Sequence, residues 1–132
     1  MNTIVLFGIL LTIMVILDIA FNYLLILYGP NILSFPNLIY KIQQSKLKIN
    51  YIGAFLSYIF LTFALYWFII KNNTISYDKK LLHAFILGLT IYGVFEATNF
   101  ALFKNWSPYI FLSDTLWGAT LMLLTTYFFY KL

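Results

Sequence analysis

Four long apolar runs, separated by shorter polar stretches, set the pattern of this chain. The first extends from about Ile4 to Tyr28 and is interrupted by Asp18 and Asn22. The second, from about Tyr51 to Ile70, carries no charge. The third covers about Leu82 to Phe103, with Glu96 and Asn99 inside, and the fourth about Tyr109 to Tyr130, with Asp114 near its start. Each supplies the roughly 20 residues that a helix needs to cross a ~30 Å hydrocarbon core. In lipid the backbone must satisfy its own hydrogen bonds, so such runs are helices and not an open sheet. Short connections make successive helices antiparallel neighbours. The expectation is therefore an all-α membrane protein, a four-transmembrane-helix antiparallel bundle that forms a single integral membrane domain over residues 1–132.

The connections refine this picture. Gly29-Pro30 closes the first run, because proline cannot continue a helix. The connection after it is the longest. Ser34 followed by Pro36 reads as a helix start. Leu38, Ile39, Ile42 and Leu47 then recur at near-helical spacing opposite Lys41, Gln44 and Lys48. That pattern fits either a short amphipathic helix at the membrane interface or an irregular loop. The next connection, 71–80, is polar, and 104–108 reads as a tight turn. The first run lacks a basic leader, is too long for a signal peptide and has an acid in its middle, so it is expected to be retained.

Composition agrees. Hydrophobic residues make up 63% of the chain and charged ones 9%, with a mean hydropathy of +0.90. A soluble domain carries about a quarter charged residues. Cysteine is absent, which removes disulfides, thiolate metal sites and cysteine nucleophiles. The net charge of +4 comes from eight basic residues, all of them lysine. With four spans, Lys71, Lys79, Lys80 and Lys131 share a side with both termini, and Lys41, Lys46, Lys48 and Lys104 occupy the other. This is a tie under the positive-inside rule, and the terminal amine tips it toward termini in the cytoplasm. Which membrane is involved is not encoded.

Three of the four acids lie inside the runs. A carboxylate near the bilayer centre costs several kcal/mol, so such residues face a protein interior or water. At about 1.5 Å per residue, Asp18 lies roughly 15 Å deep, Glu96 about 10 Å and Asp114 about 8 Å, from one membrane face. Asp18 and Asn22 are four apart and share a helix face, as do Tyr92 and Glu96; Glu96 and Asn99, like Asp114 and Trp117, are three apart. Pointed inward, these faces give one polar nest of Asp18, Asn22, Tyr92, Glu96, Asn99, Asp114 and Trp117. Gly88, Gly93 and Gly118 would allow close backbone approach around it. No lysine lies at that depth, so either one acid is neutral or a proton or small cation occupies the nest. The plainer reading is that these groups are hydrogen-bonding glue between helices. Trp67, Trp106, Tyr109, Tyr127 and Tyr130, close to the run ends, read as interfacial anchors. His83, the single histidine, reads as structural or solvated.

The segment Tyr92-Gly93-Val94-Phe95-Glu96-Ala97-Thr98-Asn99, then Lys104-Asn105-Trp106, then Asp114-Thr115-Leu116-Trp117-Gly118 resembles a family of small predicted membrane proteins, domain of unknown function 2177. That family carries a Tyr-x-x-Tyr-Asp-x-Thr-Asn block, a tryptophan after a short turn, and an Asp-x-x-Trp-Gly block. Its first helix tends to carry Asp-x-x-Trp. Here Phe95-Glu96 stands in place of Tyr-Asp, and Phe21 in place of the first-helix tryptophan. The resemblance implies a membrane architecture and retention of the acid, one methylene longer.

Two functions fit these residues. One is a proton- or cation-linked small transporter or channel that uses the acids, working as a homo-oligomer. The other is a non-catalytic structural or assembly protein of a viral or cellular envelope. No nucleophile–base pair, phosphate loop or zinc spacing marks an enzyme. The expected partners are the lipid bilayer, a second copy and a proton or small cation; no cofactor, metal or nucleic acid is expected.

Overall fold

The computed structural model describes residues 1–132 and contains helices and no strands. Helix α1 spans Thr3–Tyr28, α2 Phe35–Gln43, α3 Tyr51–Leu65, α4 Tyr77–Leu102 and α5 Pro108–Lys131. A 3-10 turn at Asn31–Leu33 precedes α2, and α3 runs on into a π-helical turn at Tyr66–Ile70. Three helices are long and apolar enough to cross a bilayer: Thr3–Tyr28, Tyr51–Ile70 and Tyr77–Leu102. Helix α5 is of similar length but carries Asp114 and four threonines, which lower its hydropathy. It is also the most enclosed helix, with Gly118, Ala119, Leu121, Met122, Thr125 and Thr126 buried. The hydroxyls of Thr125 and Thr126 donate to the carbonyls of Leu121 and Met122, one turn back, so these buried groups are satisfied within the helix.

Each helix begins on a residue suited to the task. Asn2, Ser34, Asn50, Ser76 and Ser107 accept hydrogen bonds from free amides of the first turns of α1 to α5 in that order. Helix α4 starts at Tyr77, five residues before the apolar run. Its first turn holds Asp78, favourable at a helix N-terminus, and Lys80 turns inward on the next. Lys80 is 7% exposed. Its Nζ donates to the Ile70 carbonyl at 3.1 Å and to the Tyr130 hydroxyl at 2.8 Å. The polar connection is thereby shortened to 71–76.

The short helix after the first run is present, and the irregular-loop alternative falls away. It ends at Gln43, with Gln44 in the left-handed region at φ 58°, so Leu47 and Lys48 lie beyond it. Its apolar side does not stand alone: Leu38 is buried against Trp106 and Ile110.

The main core is formed by Leu10, Met14, Leu65, Ile69, Ala84 and Leu121, with Met122 and Ile70 beside them. Helices α4 and α5 make the tightest contact. A Cβ built on Gly88 would overlap the Gly118 carbonyl, and one on Gly118 would overlap the Tyr92 ring. Most of α1 stays outside the core: Ile4, Ile16, Ile19, Leu24, Ile26 and Leu27 are exposed. Apolar surface on this scale marks contact with hydrocarbon.

Candidate functional site

Asp18 sits midway along α1 and joins three helices. Its Oδ2 accepts from the Tyr58 hydroxyl of α3 at 2.5 Å, and its Oδ1 from the Trp117 indole N–H of α5 at 2.7 Å. One turn on, Asn22 Nδ2 donates to the same Oδ1 at 3.1 Å and to the Asp18 carbonyl at 2.8 Å. Phe21 stacks on Trp117, with ring centroids 3.9 Å apart and planes 10° from parallel, which fixes the indole. Three donors leave this carboxylate well satisfied.

Glu96 on α4 is 0% exposed. Its Oε2 accepts from the Trp106 indole N–H at 2.7 Å, whereas Oε1 is buried with no hydrogen-bond donor. The Asp114 side chain of α5 is a close neighbour of Glu96. Two carboxyl groups from neighbouring helices are therefore close together, and one oxygen of the enclosed one is unpartnered.

Asp114 is not sealed in. A cleft of ≈ 250 Å³ reaches it alongside Asp18, Asn22 and Tyr92. A second, of ≈ 400 Å³, reaches it between Ser57 and Phe60 of α3 and Ile91, Tyr92 and Phe95 of α4. The Tyr92 ring packs over Gly118 and forms a wall common to both clefts.

Of the residues singled out in the sequence, Asp18, Asn22, Tyr92 and Asp114 thus border one cleft, with Trp117 bonded to Asp18 and Glu96 beside Asp114. Asn99 joins none of these hydrogen bonds; its backbone carbonyl accepts from the Phe103 amide that ends α4. Trp106 departs from its reading as an interfacial anchor: it is 6% exposed and holds Glu96. Tyr58, within the uncharged run, was not foreseen as a partner of Asp18. A tyrosine seven residues into such a run has no sequence signal that separates a buried donor from a lipid-facing ring. His83 is exposed on α4. No group of three His, Cys, Asp or Glu side chains converges in the manner of a metal site.

No curated protein and no solved structure matches the chain. A family model does, over residues 3–130, under the description "Predicted membrane protein (DUF2177)". That match takes in α1 through α5 together with Asp18, Glu96, Trp106, Asp114 and Trp117, and the chain belongs to this family of predicted membrane proteins.

Proposed function

We propose that the chain is a four-span antiparallel membrane protein in which Glu96 and Asp114 share one exchangeable proton that serves proton- or cation-linked transport. The supporting observation is the Glu96 Oε1 atom, buried without a donor beside a second carboxyl group that two clefts reach. Two carboxylates this close cannot both be ionised cheaply, and one proton between them supplies the absent hydrogen bond. A small cation at the same place would do the same.

The four-span arrangement has its own support. Helix α5, at about 1.5 Å per residue, is about 36 Å long, sufficient to cross the hydrocarbon core. Partners along neighbouring helices run in opposite order. Met14 meets Thr62 where Asp18 meets Tyr58, and Lys80 meets Tyr130 where Gly88 meets Gly118. Transport in this reading involves two or more copies, since four short helices enclose little space, and it sets the termini on the cytoplasmic side.

The test is proton flux into proteoliposomes, followed with an entrapped pH dye. Flux should be present in the native protein and lost in Glu96→Gln and in Asp114→Asn. Flux unchanged by both substitutions rejects the reading.

A second reading, a structural or assembly role, is favoured by Asp18, whose carboxylate is engaged by three donors, two of them from other helices. It predicts copurification with a larger assembly in fixed stoichiometry, and no flux from any variant or from the native chain.

A further inference from the structure

The ≈ 400 Å³ cleft has a shape and chemistry that the proton pair alone does not use. Helix α3 packs on α1, and its extension meets α4 chiefly through the π-helical turn. Away from that turn the two helices leave a groove between them. Its walls are Phe60 and Leu61 on one side and Ile91 and Phe95 on the other, with Ser57 at the edge and Asp114 as the carboxyl lining it. Phe60 and Phe95 are exposed on the outer surface, where the hydrocarbon of a bilayer would lie. The volume falls within the range of small-molecule sites.

Charge limits what such a groove can take. No lysine borders it, and Asp18 and Glu96 lie behind Asp114, so an anionic head group would meet only like charge. A neutral hydroxyl could hydrogen-bond there but would leave the negative charge uncompensated. A protonated amine answers both needs: it donates hydrogen bonds and carries the opposite charge.

Resting on the proton-pair reading, we infer that this groove admits from the bilayer an amphiphilic amine, an apolar body with one ammonium head, which binds Asp114 in place of the proton shared with Glu96. The exchange balances: the amine arrives as its ammonium ion, its N–H groups take over the proton's hydrogen bonding to Asp114 and Glu96, one positive charge replaces another beside the two carboxylates, and the displaced proton passes to water. No covalent bond forms or breaks. Amine uptake and proton release are then two halves of one event, as an exchanger of the two cations requires.

The experiment uses the full chain in lipid nanodiscs with dodecylamine as probe. Dodecanol and dodecanoate of the same chain length serve as comparisons, and empty nanodiscs give the lipid background. Expected results are saturable dodecylamine uptake above background and release of about one proton per amine bound, with neither comparison taken up above background. Asp114→Asn should weaken amine binding about tenfold or more, the order of one charge-assisted contact. Ser57→Phe, which fills the groove from its edge, should weaken it as well. Infrared absorption of the protonated carboxyl reports the proton pair separately in every variant. Amine uptake unchanged by Asp114→Asn, equal uptake of dodecanol, or uptake without proton release would each overturn the inference. A carboxylic-acid band present in a protein that binds no amine removes the groove ligand and leaves the proton pair standing. Absence of the band from the native protein before any amine is added removes the pair itself.

Discussion

The indole N–H of Trp106 donates to Glu96 Oε2 at 2.7 Å, tying the turn before α5 to a fully enclosed carboxyl group on α4. Phe35 meets the same indole edge-on, with centroids 6.0 Å apart, and Leu38 buries itself beside it. The short helix α2 therefore rests on the residue that positions Glu96. Trp106→Phe keeps an aromatic ring and deletes the donor, leaving Glu96 Oε2 without its hydrogen bond. The cost should be about 1–3 kcal/mol, read as a lower midpoint of unfolding in a denaturing detergent. In the Glu96→Leu background the same change should cost much less, since the donor then has no acceptor to lose.

Glu96→Gln should separate stability from function. Its amide oxygen can still accept from Trp106, and its NH2 group can donate to Asp114, where Glu96 Oε1 now finds no donor. Unfolding resistance should be retained or rise by about 1 kcal/mol, while proton flux disappears. A variant that loses stability while flux is unaltered would mark Glu96 as packing glue alone.

The close approach of α4 and α5 gives a steric prediction. Gly118→Ala places a methyl group against Cβ, Cγ and Cδ1 of Tyr92, the root of a ring that cannot swing aside as the end of a flexible chain could. Overpacking of this kind should cost about 1–3 kcal/mol and disturb the wall that Tyr92 provides to both clefts. Gly8→Ala is the control: a Cβ there meets nothing within 4 Å. It should be neutral or stabilise α1 by up to about 1 kcal/mol through helix propensity. Both are read from the same unfolding curves.

Lys80 links three segments through Ile70 and Tyr130. Lys80→Met preserves the apolar stem and removes both hydrogen bonds, exposing the Ile70 carbonyl and freeing the end of α5. A loss of about 1–3 kcal/mol is expected, with faster amide hydrogen exchange concentrated in 71–76 and the last turn of α5. Uniform acceleration along all helices would contradict a local anchoring role for Lys80.

Much of this was legible in the residues. Runs of apolar side chains bounded by Asn2, Gly29, Asn50 and Ser107 located α1, α3 and α5 to within a few positions, because lipid imposes a length and caps punctuate it. Spacing of four placed Asp18 with Asn22 on one face. The start of α4 was less legible. Asp78, Lys79 and Lys80 read as a polar loop, although Ser76 before Asp78 was a capping signal and one lysine can bury its stem when a carbonyl receives its head. Tyr58 and Trp106 were obscured by a different cause. An aromatic residue of a membrane helix can face lipid, anchor at the interface or serve as a buried donor, and the choice depends on helix rotation, which no local pattern records.

One detail of α3 bears on the whole arrangement. At its end the amide of Lys71 donates to the carbonyl of Tyr66 at 2.9 Å, five residues back, so the last turn holds one residue more than an ordinary one. That surplus offsets every later side chain by about 100° around the axis. A single helix thus serves two unlike neighbours, turning Tyr58 and Thr62 toward α1 and Ile69 and Ile70 into the core beside Lys80. Removing one residue from 66–70 would restore an even spiral and swing one of those faces toward the acyl chains. The widened turn is the joint that lets a straight span answer to two partners at once.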